Sequence, residues 1–139
     1  MIDLINNTSL QINEDILNNI LGFLTTRDVE LLIVSEDEIR NINLQQRNID
    51  RSTDVLSFPL QEMHYAPLGS IVISEHHIKK KAKELKHTQS DECSLLFIHG
   101  LLHLLGFDHE VDDGQMRDKE EILIKKFNLP NSLIVRTQG

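Results

Sequence analysis

Apolar residues in the first third of the chain recur with two different periods. Ile2, Leu4 and Ile5 open a short strand, and Ile12, Ile16, Leu17, Ile20, Leu21 and Leu24 then recur at helical spacing behind Asn13, a residue suited to capping. The β-branched run Val29-Glu30-Leu31-Leu32-Ile33-Val34 predicts a second strand. Directly after it, Ser35 and Glu38 have the spacing of a capping box and open a helix through Ile39, Ile42 and Leu44. Val55-Leu56-Ser57-Phe58 alternates as a strand ended by Pro59, and Ile71-Val72-Ile73 follows a turn around Pro67 and Gly69. These two runs can pair antiparallel.

Ser74 can cap a helix whose Ile78, Ala82 and Leu85 share one face while Lys79, Lys83 and Lys86 share another, with Lys80 nearby. From Ser90 or Asp91 to Leu105 the pattern is apolar on nearly every side, which places that helix at the centre of the fold, and Gly106 stops it. A last helix runs from about Gly114 to Phe127, before Pro130. Strands separated by helices, followed by a helical C-terminal half, predict an α/β (α+β) fold in which a mixed sheet of about four strands packs with about five helices.

Composition fits this reading. No Gly/Ser-rich linker, repeat or low-complexity tract divides the 139 residues, so residues 1–139 are read as one compact domain. With 40% hydrophobic residues the chain can bury a core. Its longest apolar stretch, Leu95–Phe107, is interrupted by His99, Gly100, His103 and Gly106 and falls short of the ~20 residues that span a bilayer. The single Cys excludes an internal disulfide framework and, with no secretory signal pattern, predicts a cytoplasmic protein. The formal net charge of −8 weighs against broad electrostatic adhesion to nucleic acid, so any RNA partner must meet a local basic patch. Five of the 14 basic residues lie between Lys79 and Lys86, a solvated face by the plainer reading and a phosphate-contacting strip by the other.

The chemistry concentrates in His99-Gly100-Leu101-Leu102-His103-Leu104-Leu105-Gly106-Phe107-Asp108-His109. His99 and His103 are four residues apart, so their imidazoles leave one helical face about a turn from each other and can grip one ion. Gly106 can adopt the left-handed conformation that turns the chain back, letting His109 reach the same ion. Three nitrogen ligands with an open position are characteristic of catalytic zinc, whereas structural zinc sites are closed by four protein ligands and rich in Cys. Nickel or copper would accept the same donors.

The spacing also matches metzincin proteases, but Gly100 stands where those enzymes carry their Glu general base. Asp108 can orient a ligand imidazole or touch a water on the ion, and can equally serve as a turn-forming residue. His64, His76, His77 and His87 lack comparable spacing and read as surface or capping residues, and Cys93 as a small buried thiol. A second polar run, Arg47-Asn48-Ile49-Asp50-Arg51-Ser52-Thr53-Asp54, leads into the strand at Val55. In it, Arg47 and Arg51 offer forked donors to phosphate oxygens.

Together, the runs His99–His109 and Thr53–Pro59 resemble the YbeY family of bacterial endoribonucleases and rRNA maturation factors, in order, separation and domain length. Ser70, Asn48 and Ser52 depart from residues common in that family. The resemblance implies that His99, His103 and His109 hold one zinc ion at the end of the central helix, and that Arg47 is the functional arginine beside it. It further implies cleavage of single-stranded RNA, with small-subunit rRNA and the ribosome or its assembly factors as partners, in maturation and quality control. A metallohydrolase of another substrate class and a ribosome-assembly binding factor with a structural metal are the alternatives.

Overall fold

The computed structural model describes residues 1–60, 67–108 and 114–130. Among these residues four strands and five helices follow in the order β1 (Ile2–Asn6), α1 (Glu14–Leu24), β2 (Val29–Val34), α2 (Glu36–Arg47), β3 (Val55–Pro59), β4 (Gly69–Ser74), α3 (Glu75–Leu85), α4 (Gln89–Leu104) and α5 (Gln115–Phe127). The strands form one mixed sheet ordered β1-β2-β4-β3. β2 pairs in parallel with both β1 and β4, and β3 pairs antiparallel with β4 as the sequence predicts.

Alternation along the strands divides the core into two. Leu31, Ile33, Ile71 and Ile73 join the large cluster that also holds Leu17, Ile20 and Leu21 of α1 and half of α4. Val34, Leu56 and Val72 face the other way and pack with Ile39 of α2. Successive strand residues point to opposite faces, so a sheet covered on both sides needs apolar residues at nearly every position, which is why the strand at Val29–Val34 is apolar at every position but Glu30. In α4, Leu95, Leu96, Phe97, Ile98, Leu101 and Leu102 are all 0% exposed, so the helix is central as its pattern requires.

Helix caps follow the sequence at most ends. Asn13 accepts from the Ile16 N–H, Ser35 from that of Glu38 and Ser74 from that of His77. The exception is α4. Thr88, in extended conformation, accepts the Asp91 N–H at 3.0 Å and starts the helix earlier than Ser90 or Asp91. Asp91 and Glu92 instead lie in the first turn, where carboxylates favour the positive end of the helix dipole. β4 likewise starts earlier than the apolar run, at Gly69, and Pro59 belongs to the end of β3 opposite it. A Cβ at Gly69 would lie 2.5 Å from the Phe58 carbonyl oxygen, so only glycine allows this crossing. Among the described residues, no helix is long and apolar enough to cross a membrane.

Candidate active site

The end of α4 sets the site. Gly106 has φ +98°, its N–H donates to the His103 carbonyl, and the Phe107 N–H reaches back to Leu102, each at 3.0 Å. This paired closure, with a left-handed glycine, satisfies the last carbonyls and reverses the chain, as the sequence predicts for Gly106. His103 therefore stands in the final turn, and His99 one turn before it.

Both imidazoles are half-buried, with Nε2 atoms 3.2 Å apart and ring planes 80° to each other at a centroid distance of 4.7 Å. Two nitrogens each about 2.0–2.1 Å from one ion at a tetrahedral angle lie about 3.3 Å apart, so this pair fits as two ligands of a shared metal. Among the described residues no three His, Cys, Asp or Glu side chains gather as a metal-binding group. The expected third ligand, His109, lies outside the described residues, as does His64.

Gly100 is where α4 touches the sheet. A Cβ there would meet Ile71 Cγ2 at 2.9 Å, Ser57 Oγ at 3.1 Å and Val55 Cγ2 at 3.3 Å. The Ser57 hydroxyl donates to the Gly100 carbonyl at 3.1 Å, tying β3 to the turn that carries His99. Position 100 therefore points into the packed sheet rather than toward the histidines, and it has no room for a glutamate. The protease arrangement is excluded by packing as well as by residue identity.

A cleft of about 700 Å³ opens beside the two histidines, walled by Gln46 and Arg47 from the end of α2, Thr53–Pro59 from β3 and its approach, and His99, His103 and Asp108 from the end of α4. Arg47 and the histidine pair are 52 residues apart or more in sequence, yet the fold brings them to one cleft. Arg51 is exposed and forms no part of this wall.

The turn between Arg47 and β3 is held firmly. Asn48 adopts the left-handed conformation at φ 59°, and its N–H donates to the Leu44 carbonyl. Asn43, buried in α2, donates from Nδ2 to the Arg51 carbonyl at 3.0 Å, and its own carbonyl accepts the Ile49 N–H. At the surface, Arg40 Nε donates to Asp50 Oδ1 at 2.8 Å, and that hydrogen bond and charge hold the Asp50 carboxyl below its usual range. Asn43, Gln46 and the role of the Ser57 hydroxyl were not evident from the sequence. Asn43 alone left a trace, as a polar residue beside the apolar Ile39 and Ile42 stripe.

The remaining candidates lie elsewhere. His77 Nδ1 sits 2.9 Å from the cap oxygen of Ser74, in the capping role expected, and His76 is exposed against Glu36. His87 departs from the surface reading: its side chain is only 9% exposed and meets the buried Glu92 at 2.8 Å, because α4 starts right after it and folds the ring inward. Cys93 is buried, and burial pushes its thiol up to about 12. Lys79 and Lys81 face carboxylates of their own helix, Glu75 and Glu84.

Comparison with known proteins converges on one family. The profile of the family described as Endoribonuclease YbeY matches residues 3–128. A protein named Endoribonuclease YbeY from Sulfurimonas denitrificans is 56% identical over 139 residues, covering 100% of both chains. One of the same name from Aliarcobacter butzleri is 59% identical over 138 residues, covering 98% of this chain and 99% of that protein. Among solved structures, a Thermotoga maritima protein determined in solution superposes with a TM-score of 0.63 at 31% identity, over 91% of this chain and 89% of its own.

Proposed function

The chain belongs to the Endoribonuclease YbeY family, and on that premise we propose that it is a zinc-dependent endoribonuclease that cleaves single-stranded RNA in the cleft between α2, β3 and α4. The observation that carries the proposal is the convergence of Arg47 with His99 and His103 on one cleft. His99, His103 and His109 would hold the ion. When bound, zinc supplies Lewis acidity toward the phosphoryl group and lowers the pKa of its water.

The chain's own groups account for the rest. Arg47 projects from the last turn of α2 with a guanidinium that presents forked donors, which suits it to bind the scissile phosphate and neutralise charge growing there. The strand approach Thr53–Pro59 lines the same cleft as that guanidinium and the imidazoles and would position the backbone of the RNA. With position 100 closed to a carboxylate, Asp108 is the acidic side chain that the end of α4 contributes to the cleft. The same proposal includes action in the cytoplasm on small-subunit rRNA, in maturation and quality control, with the ribosome or its assembly factors as partners; it is supported by the family likeness.

Two variants test it. Arg47→Ala should retain the metal and lose about 10²-fold in the rate of RNA cleavage, the usual effect of removing one donor at a developing charge. His103→Ala should lose both metal and cleavage while the helical signal by circular dichroism persists. Full activity in Arg47→Ala, or metal-independent cleavage, would contradict the assignment.

A further inference from the structure

Among the described residues β3 is the last strand of the sheet, and one of its edges has no strand partner there. Which residues present their backbone groups at that edge follows from the ladder. The Ser74 N–H donates to the Asp54 carbonyl at 2.9 Å and the Leu60 N–H to that of Leu68 at 3.2 Å, at the two ends of a register running from Val55↔Ile73 to Pro59↔Gly69. In an antiparallel pair, residues whose N–H and C=O both face the partner alternate with residues whose groups both face away. Asp54, Leu56, Phe58 and Leu60 therefore face β4, and Val55, Ser57 and Pro59 present their backbone groups at the open edge.

Two of those three positions have no amide to offer. The Val55 N–H donates to Asp54 Oδ1 at 2.8 Å, and proline has no N–H. The Ser57 N–H, turned away from β4 by the register, takes no part in the ladder. The outward edge thus offers one amide donor, flanked by its own carbonyl and that of Val55. Ser57 also lines the cleft, and its hydroxyl is fastened to the Gly100 carbonyl, the residue after His99. A donor and acceptor pair is therefore held rigidly beside the histidines.

We propose that the outward N–H and C=O of Ser57 form a base-reading subsite that pairs with the Watson–Crick edge of one unpaired nucleotide next to the cleaved phosphodiester. This rests on the reading of the cleft as an RNA-cleaving site. Each nucleobase carries adjacent donors and acceptors on that edge, and in duplex RNA they are already used, so the subsite admits only single strands. An extended peptide added as a further strand is the other occupant an open edge can take. The missing N–H at Pro59 and the occupied one at Val55 leave such a strand a single amide donor to pair with, and RNA is favoured.

The test combines residue-resolved binding with cleavage. Amide resonances of the full chain are followed by NMR during titration with trinucleotides of A, C, G or U, and separately with an extended peptide. Cleavage-site profiles on a randomised RNA are compared for Ser57→Ala and Ser57→Pro. Ser57→Pro deletes the outward N–H without touching the ladder to β4, as Pro59 already does two residues on, whereas Ser57→Ala removes only the hydroxyl. The expected results are a Ser57 amide that moves with RNA and most with one base, a preference at one position of about tenfold or more that Ser57→Ala keeps, and its flattening in Ser57→Pro. An unmoved Ser57 amide, equal preference in both variants, or a response to peptide without RNA would overturn the proposal. If Ser57→Pro does not fold, the amide shifts decide. A protein that shows these shifts but cleaves no RNA would contradict the catalytic reading while upholding the subsite.

Discussion

Replacing Gly100 with alanine tests how tightly α4 is seated on the sheet. In a helix interior, Gly→Ala normally stabilises by about 0.8–1.0 kcal/mol because it restricts the unfolded chain. Here the added methyl would stand 2.9 Å from Ile71 Cγ2, 3.1 Å from Ser57 Oγ and 3.3 Å from Val55 Cγ2. None of these is the loose end of a flexible side chain: Ile71 is 0% exposed, and Ser57 is bonded to Gly100 itself. Overpacking of this kind costs about 1–3 kcal/mol, so the net effect is a destabilisation of about 1 kcal/mol. Gly22, exposed in α1, is the matched control, since a Cβ there meets nothing within 4 Å. Near a helix end it should gain about 0.5 kcal/mol from the same change. At about 3–5 °C per kcal/mol for a chain of this size, the two variants should melt about 5–8 °C apart on either side of the parent. Thermal unfolding followed by circular dichroism measures this directly. A Gly100→Ala protein at least as stable as Gly22→Ala would refute the reasoning, and with it the packing argument against a glutamate at position 100.

Two further predictions follow from burial. The Cys93 thiol, pushed up to about 12 by its apolar surroundings, should resist alkylation at pH 8 in the native protein and react fully in denaturant; rapid native labelling would contradict its placement. Burial lowers the His77 imidazole below its ordinary 6.5, with the Asp54 carboxylate opposing, so the unfolded chain binds that proton more readily. The contribution of the neutral ring is complete above about pH 6.5 and is lost as pH falls below it. Urea titrations at pH 7.5 and 5.5 should therefore show a smaller fall in stability for His77→Gln than for the parent, and an equal fall would rule the effect out.

The fold was legible wherever one residue pattern had one structural meaning. The run Val29–Val34 and the near-uniformly apolar helix before Gly106 could only be central elements, and the left-handed stop at Gly106 followed from residue type. Boundaries were less legible where two caps compete: Thr88, Ser90 and Asp91 are all good N-caps, and only tertiary packing, which turns His87 inward against Glu92, selects the first. Pairing of His99 with His103 was legible because four residues make about one turn. The approach of Arg47 to that pair was not a matter of spacing, since it depends on how α2 and α4 cover opposite faces of β3. The resemblance of motifs supplied it where local physics could not. The Ser57 to Gly100 bond had no signal in the sequence, because a hydroxyl in an alternating strand looks like any other polar position.

The central claim is that the two imidazoles at the end of α4, with His109, hold one ion in a cleft that cuts RNA. It is tested most directly by elemental analysis of the purified chain, together with cleavage of a single-stranded RNA before chelation, after it, and after metal is restored. The account predicts one zinc per chain, loss of cleavage with the metal, and its return on zinc add-back in the parent but not in His103→Ala. Metal-free protein that cleaves RNA at the full rate would contradict it.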